Sequence, residues 1–496
     1  MQKILEEILS KFRPTEDEIR EVHIAICRFI EDLEEALMKT YGYRHQFLRV
    51  TPAGSAVRGT FTRYERYKYD IDLFVVHPYS WELSEFFDKF KKACEIFYKK
   101  YGANYTTEYA QHPYYKGMVV LKDHKFKSYE VEIVPCYEMI PGKKVKSPVD
   151  RSIRHNWYLL KKYKENPQLR DTAILLKTFF QRVGVYGAEA RVGGFSGYLI
   201  ELLAVYYGSF FNALNEISRW RPYKIFLWIE EPGTWREGMA PMVFVDPVSP
   251  ERNAAAAVTE EAIEIISEAA RDFFEIVIGK EGEIKRNALY NFFIPIYESK
   301  INLTEESIQE SIENLRRSSE IFVIKFSEEL TALHPDVVYT ELKRSAEGLK
   351  AKLKEKGVEV KKYYIDYETP AILFVIGKTI RRFKMRPGPP SDAPGAYEKR
   401  FLMKNLLRKN VALIAFTKDR WRVVELVEER RLDEILNSIL TKASHGKDIR
   451  KHIESGNYEI ILGEDVFEYI NRLSPDQKLR TYMFLSGIKP WKAIHE

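Results

Sequence analysis

Apolar and polar positions along this chain follow three successive regimes. Ile19, Val22, Ile26, Ile30, Leu33 and Leu37 recur at helical spacing behind Thr15-Glu16-Asp17-Glu18, a capping-box sequence, and predict an amphipathic helix over 15–40. Such a helix most simply covers a sheet. Residues 47–50 read as a short strand, Pro52, Gly54 and Ser55 as a turn, and 71–76 as a buried strand. Trp81, Leu83, Phe86, Phe87, Phe90 and Cys94 predict a second helix near 82–101, and strands near 118–121 and 129–137 complete an α/β unit. From 150 to about 285 the period is mainly helical, with turns at Gly184, Gly187, Gly193, Gly194 and Gly197. Beyond 286 a helix near 304–319 precedes strands at 321–326, 358–367 and 371–377, then the loop RPGPPSDAPG at 386–395. The shifts of pattern predict three domains: 1–147, 148–285 and 286–496.

Composition supports this division. A chain of 496 residues exceeds one ordinary core, and its 45% hydrophobic, 14% aromatic and 30% charged content is that of a globular protein. The longest apolar run, 200–211, is broken by Glu201 and is shorter than the roughly 20 residues of a membrane span. The N-terminal MQKILEEILSKF mixes acids with its apolar residues, unlike the core of a signal peptide, so a cytoplasmic protein is expected. Cys27, Cys94 and Cys136 are far apart and form no C-x-x-C pair, which argues against a disulfide scaffold or a zinc ribbon. The net charge of +6 is unevenly spread: residues 371–420 hold twelve Lys and Arg against three acids, a patch that suits a polyanion.

Two acids interrupt the apolar strand at 71–76. Side chains alternate along a strand, so Asp70 and Asp72 share one face, roughly 7 Å apart at the backbone, while Ile71 and Leu73 take the other. Two such carboxylates repel each other and resist burial unless a cation joins them. Carboxylate oxygens are what Mg²⁺ prefers, completed by substrate phosphates. The alternative is a strand end whose aspartates are solvated or paired with Arg58, Arg63 or Arg66. Three features favour the metal. The Gly54-Ser55 turn upstream offers backbone N–H groups to phosphate oxygens. The later segment YEVEIVPCY alternates acid and apolar residues, so Glu132 can supply a third carboxylate if the strands are neighbours. No P-loop, G-x-G-x-x-G or H-E-x-x-H motif competes.

The arrangement GS, spacer, D-I-D, and one more acid on a neighbouring strand resembles the nucleotidyltransferase superfamily of DNA polymerase beta. More narrowly, EIVPCY (132–137), SPVDRSIRHNW (147–157), the segment LLKTFFQRVGVYGAEARVGGFSGYLIELLAVYYGSF (175–210), DPVSPERNAAAAV (246–258) and RPGPP…AYEKRFL resemble archaeal-type (class I) CCA-adding enzymes. The resemblance implies a multidomain protein combining α/β and α+β parts. These are a polymerase-beta-like palm head, a helical middle domain that binds nucleotide, and a mixed α/β C-terminal region that binds tRNA.

By the same resemblance the chain adds and repairs the 3′ CCA of tRNA from CTP and ATP, with Asp70, Asp72 and Glu132 holding two Mg²⁺ ions. Glutamate stands where the family commonly has aspartate, so Glu130 is an alternative to Glu132. Gly54, Ser55 and Arg58 correspond to phosphate contacts. His155, Lys177 and Tyr186 correspond to triphosphate and ribose contacts, and Arg252 to the arginine facing the incoming base. Read without the resemblance, Lys177 is a solvated helix tip, Tyr186 a turn aromatic and His155 a surface or core histidine. The interval from Ser55 to Asp70, with RYERYKY, is longer than is usual in the family. The basic C-terminal region would grip the acceptor stem and TΨC arm, and a homodimer is compatible with the resemblance. A poly(A) polymerase-like enzyme and an inert RNA-binding protein of the same fold are the rival readings.

Overall fold

The computed structural model describes residues 2–63, 69–109, 113–122, 128–277, 286–293, 305–377, 383–426, 432–489 and 491. The chain divides into two compact units, Met1–Ile301 with Ile494–Glu496, and Asn302–Ala493. The boundary expected near 147 falls inside the first unit, and the one near 285 lies outside the described residues.

In the first unit helix α1 (Gln2–Phe12) precedes the long helix α2 (Glu16–Tyr41). The capping box forms as its sequence predicts: Glu18 N donates to Thr15 Oγ1 at 3.1 Å while Thr15 N donates to the Glu18 carboxylate at 2.7 Å. The strand expected at 47–50 starts later, because Gly42–Phe47 closes into a 3₁₀ turn, and β1 is Arg49–Ala53. Pro52 therefore lies in a strand rather than a turn, which an edge position allows. Then follow α3 (Gly54–Arg58), β2 (Tyr69–His77), α4 (Leu83–Lys100), β3 (Tyr105–Tyr109), β4 (Pro113–Val120) and β5 (Ser128–Tyr137).

These strands form one sheet in the order β1-β2-β5-β4-β3, with β2 and β5 parallel and the other pairs antiparallel. Period-two alternation gives its two faces different tasks. Ile71, Leu73, Val75, Val131 and Ile133 pack with Phe29 and Leu33 of α2 and Phe90 and Phe97 of α4. On the opposite face Phe74, Val76, Val134 and Cys136 join Ala53 and Ile153 in a smaller cluster. The acids of β2 and β5 stand on this second face, ahead of its apolar part.

Helices α5 (Ser152–Glu165), α6 (Gln168–Val183), α7 (Gly197–Tyr207) and α8 (Phe210–Ile217) follow. Gly197, expected in a turn, opens α7, where Ser196 Oγ accepts from Leu199 N at 3.1 Å. A small sheet of β6 (Ile225–Leu227), β7 (Met242–Asp246) and β8 (Ser249–Asn253) precedes α9 (Glu260–Asp272). Strands of three to five residues are too short to show a period, so this region reads as helical from sequence.

The second unit holds β9 (Ser319–Phe326), β10 (Val360–Asp366), β11 (Ala371–Gly377), β12 (Phe383–Pro390), β13 (Val411–Thr417), β14 (Arg420–Leu426) and β15 (Tyr458–Leu462). They form two sheets, β10-β11-β9-β15 and β12-β14-β13. The first is covered by a helix, Pro335–Glu355, over a core that includes Phe322, Ile324, Ile372 and Phe374. The loop expected at 386–395 is half strand: Arg386 and Pro387 pair with β14, and Gly395 opens a helix, Gly395–Leu406. Among the described residues no helix is long and apolar enough to cross a membrane.

Candidate active site

Parallel pairing of β2 with β5 puts Asp70 opposite Glu130 and Asp72 opposite Glu132. Neighbouring strands are about 4.8 Å apart, so four carboxylates crowd one patch of the sheet. Burial, reinforced by Glu132, pushes the Asp72 pKa up to about 7, while Arg58 and Lys116 pull it down. A counter-cation to the two glutamates comes from β4. Lys116 of β4 reaches Glu132 at 2.8 Å and Glu130 at 3.1 Å. Arg63 pairs instead with Glu18 at 3.1 Å, Arg58 pairs elsewhere, and Arg66 lies outside the described residues.

The patch suits a hard divalent cation in its donors. They are all carboxylate oxygens, and burial and Glu132 disfavour the charged form of Asp72 more than Arg58 and Lys116 favour it. Among the described residues, however, no three His, Cys, Asp or Glu side chains come close enough together to hold a metal ion. With Glu132 drawn to Lys116, convergence on an ion requires that carboxylate, or Glu130, to turn toward Asp72.

The turn after β1 is pressed against this patch. Gly54 has φ of +84°, and a Cβ there would come within 2.1 Å of Asp72 Oδ2. Ser55, half-buried, occupies the first turn of α3.

Arg58 and Lys177 come together, but around a residue not foreseen from sequence as functional. Glu201 of α7 is fully buried, and Arg58 and Lys177 are only 8% and 3% exposed. Arg58 Nε and Nη2 each donate to the Glu201 carboxylate at 2.8 Å, and Lys177 Nζ donates to it at 2.7 Å. Tyr163 adds its hydroxyl at 2.6 Å and Thr60 its hydroxyl at 3.1 Å, while Arg58 Nη1 donates to Asn156 Oδ1 at 2.8 Å. Burial alone would raise the Glu201 pKa, but Arg58 and Lys177 outweigh it and hold the carboxyl well below the usual range. Lys177 is thus an interior side chain, not a solvated tip. Any phosphate contact from Lys177 or Arg58 is made in competition with Glu201.

Tyr186 lies beside Lys177 at the start of α7. A Cβ on Gly197 would meet Tyr186 Oη at 2.9 Å and Lys177 Cε at 3.9 Å.

His155 and Arg252 meet at a second buried acid, Asp246 of β7. His155 Nε2 and Arg252 Nη1 each lie 2.8 Å from Asp246 Oδ2, and Tyr198 donates its hydroxyl to Oδ1 at 3.1 Å. The His155 ring stacks on that of Tyr198, with centroids 4.1 Å apart. Burial lowers the His155 pKa below the usual histidine value despite Asp246, and since the carboxylate only accepts, Nε2 carries the proton. Arg252 keeps 37% of its side chain exposed, the accessible member of this group.

One helix ties the groups together. α7 carries Tyr198 at Asp246 and Glu201 at Arg58, three residues apart and so on one face. The missed residues Glu201 and Asp246 share a sequence signal: each is a lone acid inside an apolar run, LIELLAV and MVFVDPV. Lys116 gives none.

Two segments match family models. Residues 171–277 match that of the tRNA nucleotidyltransferase second domain, and residues 317–463 that of the CCA-adding enzyme C-terminal domain. The CCA-adding enzyme of Pyrobaculum aerophilum is 31% identical over 475 residues, covering 92% of this chain and 97% of that protein. The CCA-adding enzyme of Methanocaldococcus jannaschii is 28% identical over 341 residues, covering 66% and 73%. Among solved structures, the Cid1 poly(U) polymerase with MgGTP bound gives a TM-score of 0.46 at 13% identity, over 58% of this chain and 97% of that one.

Proposed function

The chain belongs to the archaeal-type CCA-adding enzymes, tRNA nucleotidyltransferases of the DNA polymerase beta superfamily, and we propose that it completes and repairs the 3′-terminal CCA of tRNA from CTP and ATP. The tRNA 3′-hydroxyl attacks the α-phosphorus of the nucleotide and pyrophosphate leaves, without a template and without a covalent enzyme intermediate. The observation that carries the reading is the register of β2 and β5, which sets Asp72 beside Glu132 on the face against which Gly54 is pressed.

Asp70, Asp72 and Glu132, with Glu130 as the alternative third acid, would hold two Mg²⁺ ions. When bound, these supply activation of the 3′-hydroxyl and charge stabilisation for the leaving pyrophosphate. Gly54, Ser55, Arg58, Lys177 and Tyr186 lie on the phosphate side of the proposed nucleotide site. His155 and Arg252 lie on its ribose and base side, where the half-exposed guanidinium presents a fixed fork of donors to cytosine or adenine. The second unit would contact the acceptor stem and TΨC arm. Its exposed Lys399, Arg400, Lys404, Lys409 and Lys418 suit duplex RNA, whose backbone and shallow minor groove are what a protein can reach. Assembly as a homodimer is compatible with this reading.

The test is product length. The purified protein is given Mg²⁺, CTP and ATP with tRNA transcripts ending before CCA, after C and after CC. Extension is expected to stop at CCA on each. A long A tail would favour the poly(A) polymerase reading, and binding without extension the inert one.

A further inference from the structure

Glu201 does more than fill a gap in the core. Five donors converge on it: two from Arg58 and one each from Lys177, Tyr163 and Thr60, which saturates the roughly four lone-pair sites of a carboxylate. Burying such a group of charged side chains rarely stabilises a fold more than apolar packing of the same volume would. What it fixes is position. Arg58 belongs to the segment that starts with Gly54 and Ser55, and its charge is felt by Asp72. Lys177 comes from α6 and shares the neighbourhood of Gly197 with Tyr186, while Glu201 comes from α7, one turn from Tyr198 and the Asp246 group. The fork of Arg58 is held by Glu201 on two atoms and by Asn156 on a third, so it has little freedom to reorient.

We propose that Glu201 is a positioning residue for nucleotide binding: its buried carboxylate fixes Arg58 and Lys177 where the segment after β1 meets α6 and α7. The proposal deepens the nucleotidyltransferase reading and rests on it. Glu201 touches neither substrate nor metal in this account. It acts through the two basic side chains, and through α7 it keeps them in register with Tyr198 and Arg252.

The experiment compares wild type with Glu201→Gln, Lys177→Met and the double variant, using Mg²⁺, CTP or ATP and tRNA ending before the missing nucleotide. The expected result for Glu201→Gln is a KM for both nucleotides raised by about tenfold or more, with the KM for tRNA within about twofold. In the double variant the nucleotide KM should rise by clearly less than the product of the two single effects, because both side chains belong to one buried cluster; what the loss of Glu201 adds there acts through Arg58. A merely structural residue would lower kcat and thermal stability and leave the nucleotide KM unchanged. That outcome, or additive effects in the double variant, overturns the proposal. Should Glu201→Gln fail to fold, Tyr163→Phe removes one donor from the same carboxylate at nearly constant volume. It is expected to raise the nucleotide KM about threefold, and an unchanged KM there also overturns the proposal. If wild type adds no nucleotide to tRNA, the enzymatic reading fails. Equilibrium binding of Mg-CTP to wild type and Glu201→Gln then decides the positioning role without turnover.

Discussion

Asp72 is where the opposing forces of the site meet. Burial and Glu132 resist its charge, Arg58 and Lys116 support it, and Gly54, by lacking a Cβ, leaves the space its carboxylate occupies. Asp72→Asn keeps the shape and removes the charge. Nucleotide incorporation should fall by roughly a thousandfold or more, while tRNA affinity measured by filter binding stays within about twofold. A large loss of tRNA affinity would instead assign Asp72 a structural role. The Asp-Ile-Asp pair was legible in the sequence because strand alternation alone puts both carboxylates on one face. Glu201 was not, since its partners lie far along the chain: Arg58 is 143 residues away, and no local period encodes such a meeting. Lys116 was hidden for a related reason. Its cross-strand partner Glu132 becomes visible only once β4 is known to lie beside β5.

At the scale of elements, the site depends on two junctions of strand and turn. The left-handed Gly54 at the end of β1 brings the chain against Asp72. Gly54→Ala would place a Cβ on the Asp72 carboxylate and force a φ that alanine rarely adopts. Thermal melting should shift down by several degrees, roughly the effect of 1–3 kcal/mol, and incorporation should be nearly abolished. An active, equally stable variant would show that the turn does not press on the site. The other end of β2 buries His77 completely, stacked on Phe86 at 3.8 Å between centroids, and burial lowers its pKa to about 4. Between its ordinary value of 6.5 and about 4 the unfolded chain binds a proton that the folded one refuses, so this residue makes stability fall as pH falls through that window. His77→Gln should flatten the decline of the urea midpoint from about pH 6.5 to 4, and an unchanged slope would place the acid sensitivity elsewhere. Long elements with strong patterns were readable: α2 and its capping box, α4, and strands β2, β5, β9 and β11 all lie close to where periodicity puts them. The small sheet β6-β7-β8 and strand β12 were not, the first because its strands are short and the second because MRPGPP carries loop-forming residues on an edge.

At the scale of the whole molecule, the two units carry different chemistry. The first gathers the acids of β2 and β5 and the buried groups around Glu201 and Asp246, and the second carries the basic stretch. Within that stretch Arg386 and Arg408 are paired with Glu425 and Arg420 with Asp419, whereas Lys399, Arg400 and Lys404 are exposed along one helix. Lys378, Arg381 and Arg382 lie outside the described residues. Reversing Lys399, Arg400 and Lys404 to glutamate should raise the KM for tRNA by about tenfold or more. It should also flatten the dependence of tRNA affinity on salt, and leave the nucleotide KM unchanged. An unaltered salt slope would remove this face from the RNA contact.

The proposed chemistry requires acids from β2 and β5 to converge on divalent ions against a nucleotide's phosphates. Anomalous diffraction from crystals grown with Mn²⁺, a non-hydrolysable CTP analogue and tRNA addresses it directly. Metal peaks are expected about 2 Å from oxygens of Asp70 and Asp72, with Glu132 or Glu130 released from Lys116 to join them. A bound nucleotide with no metal at that face, and both glutamates still held by Lys116, would contradict it.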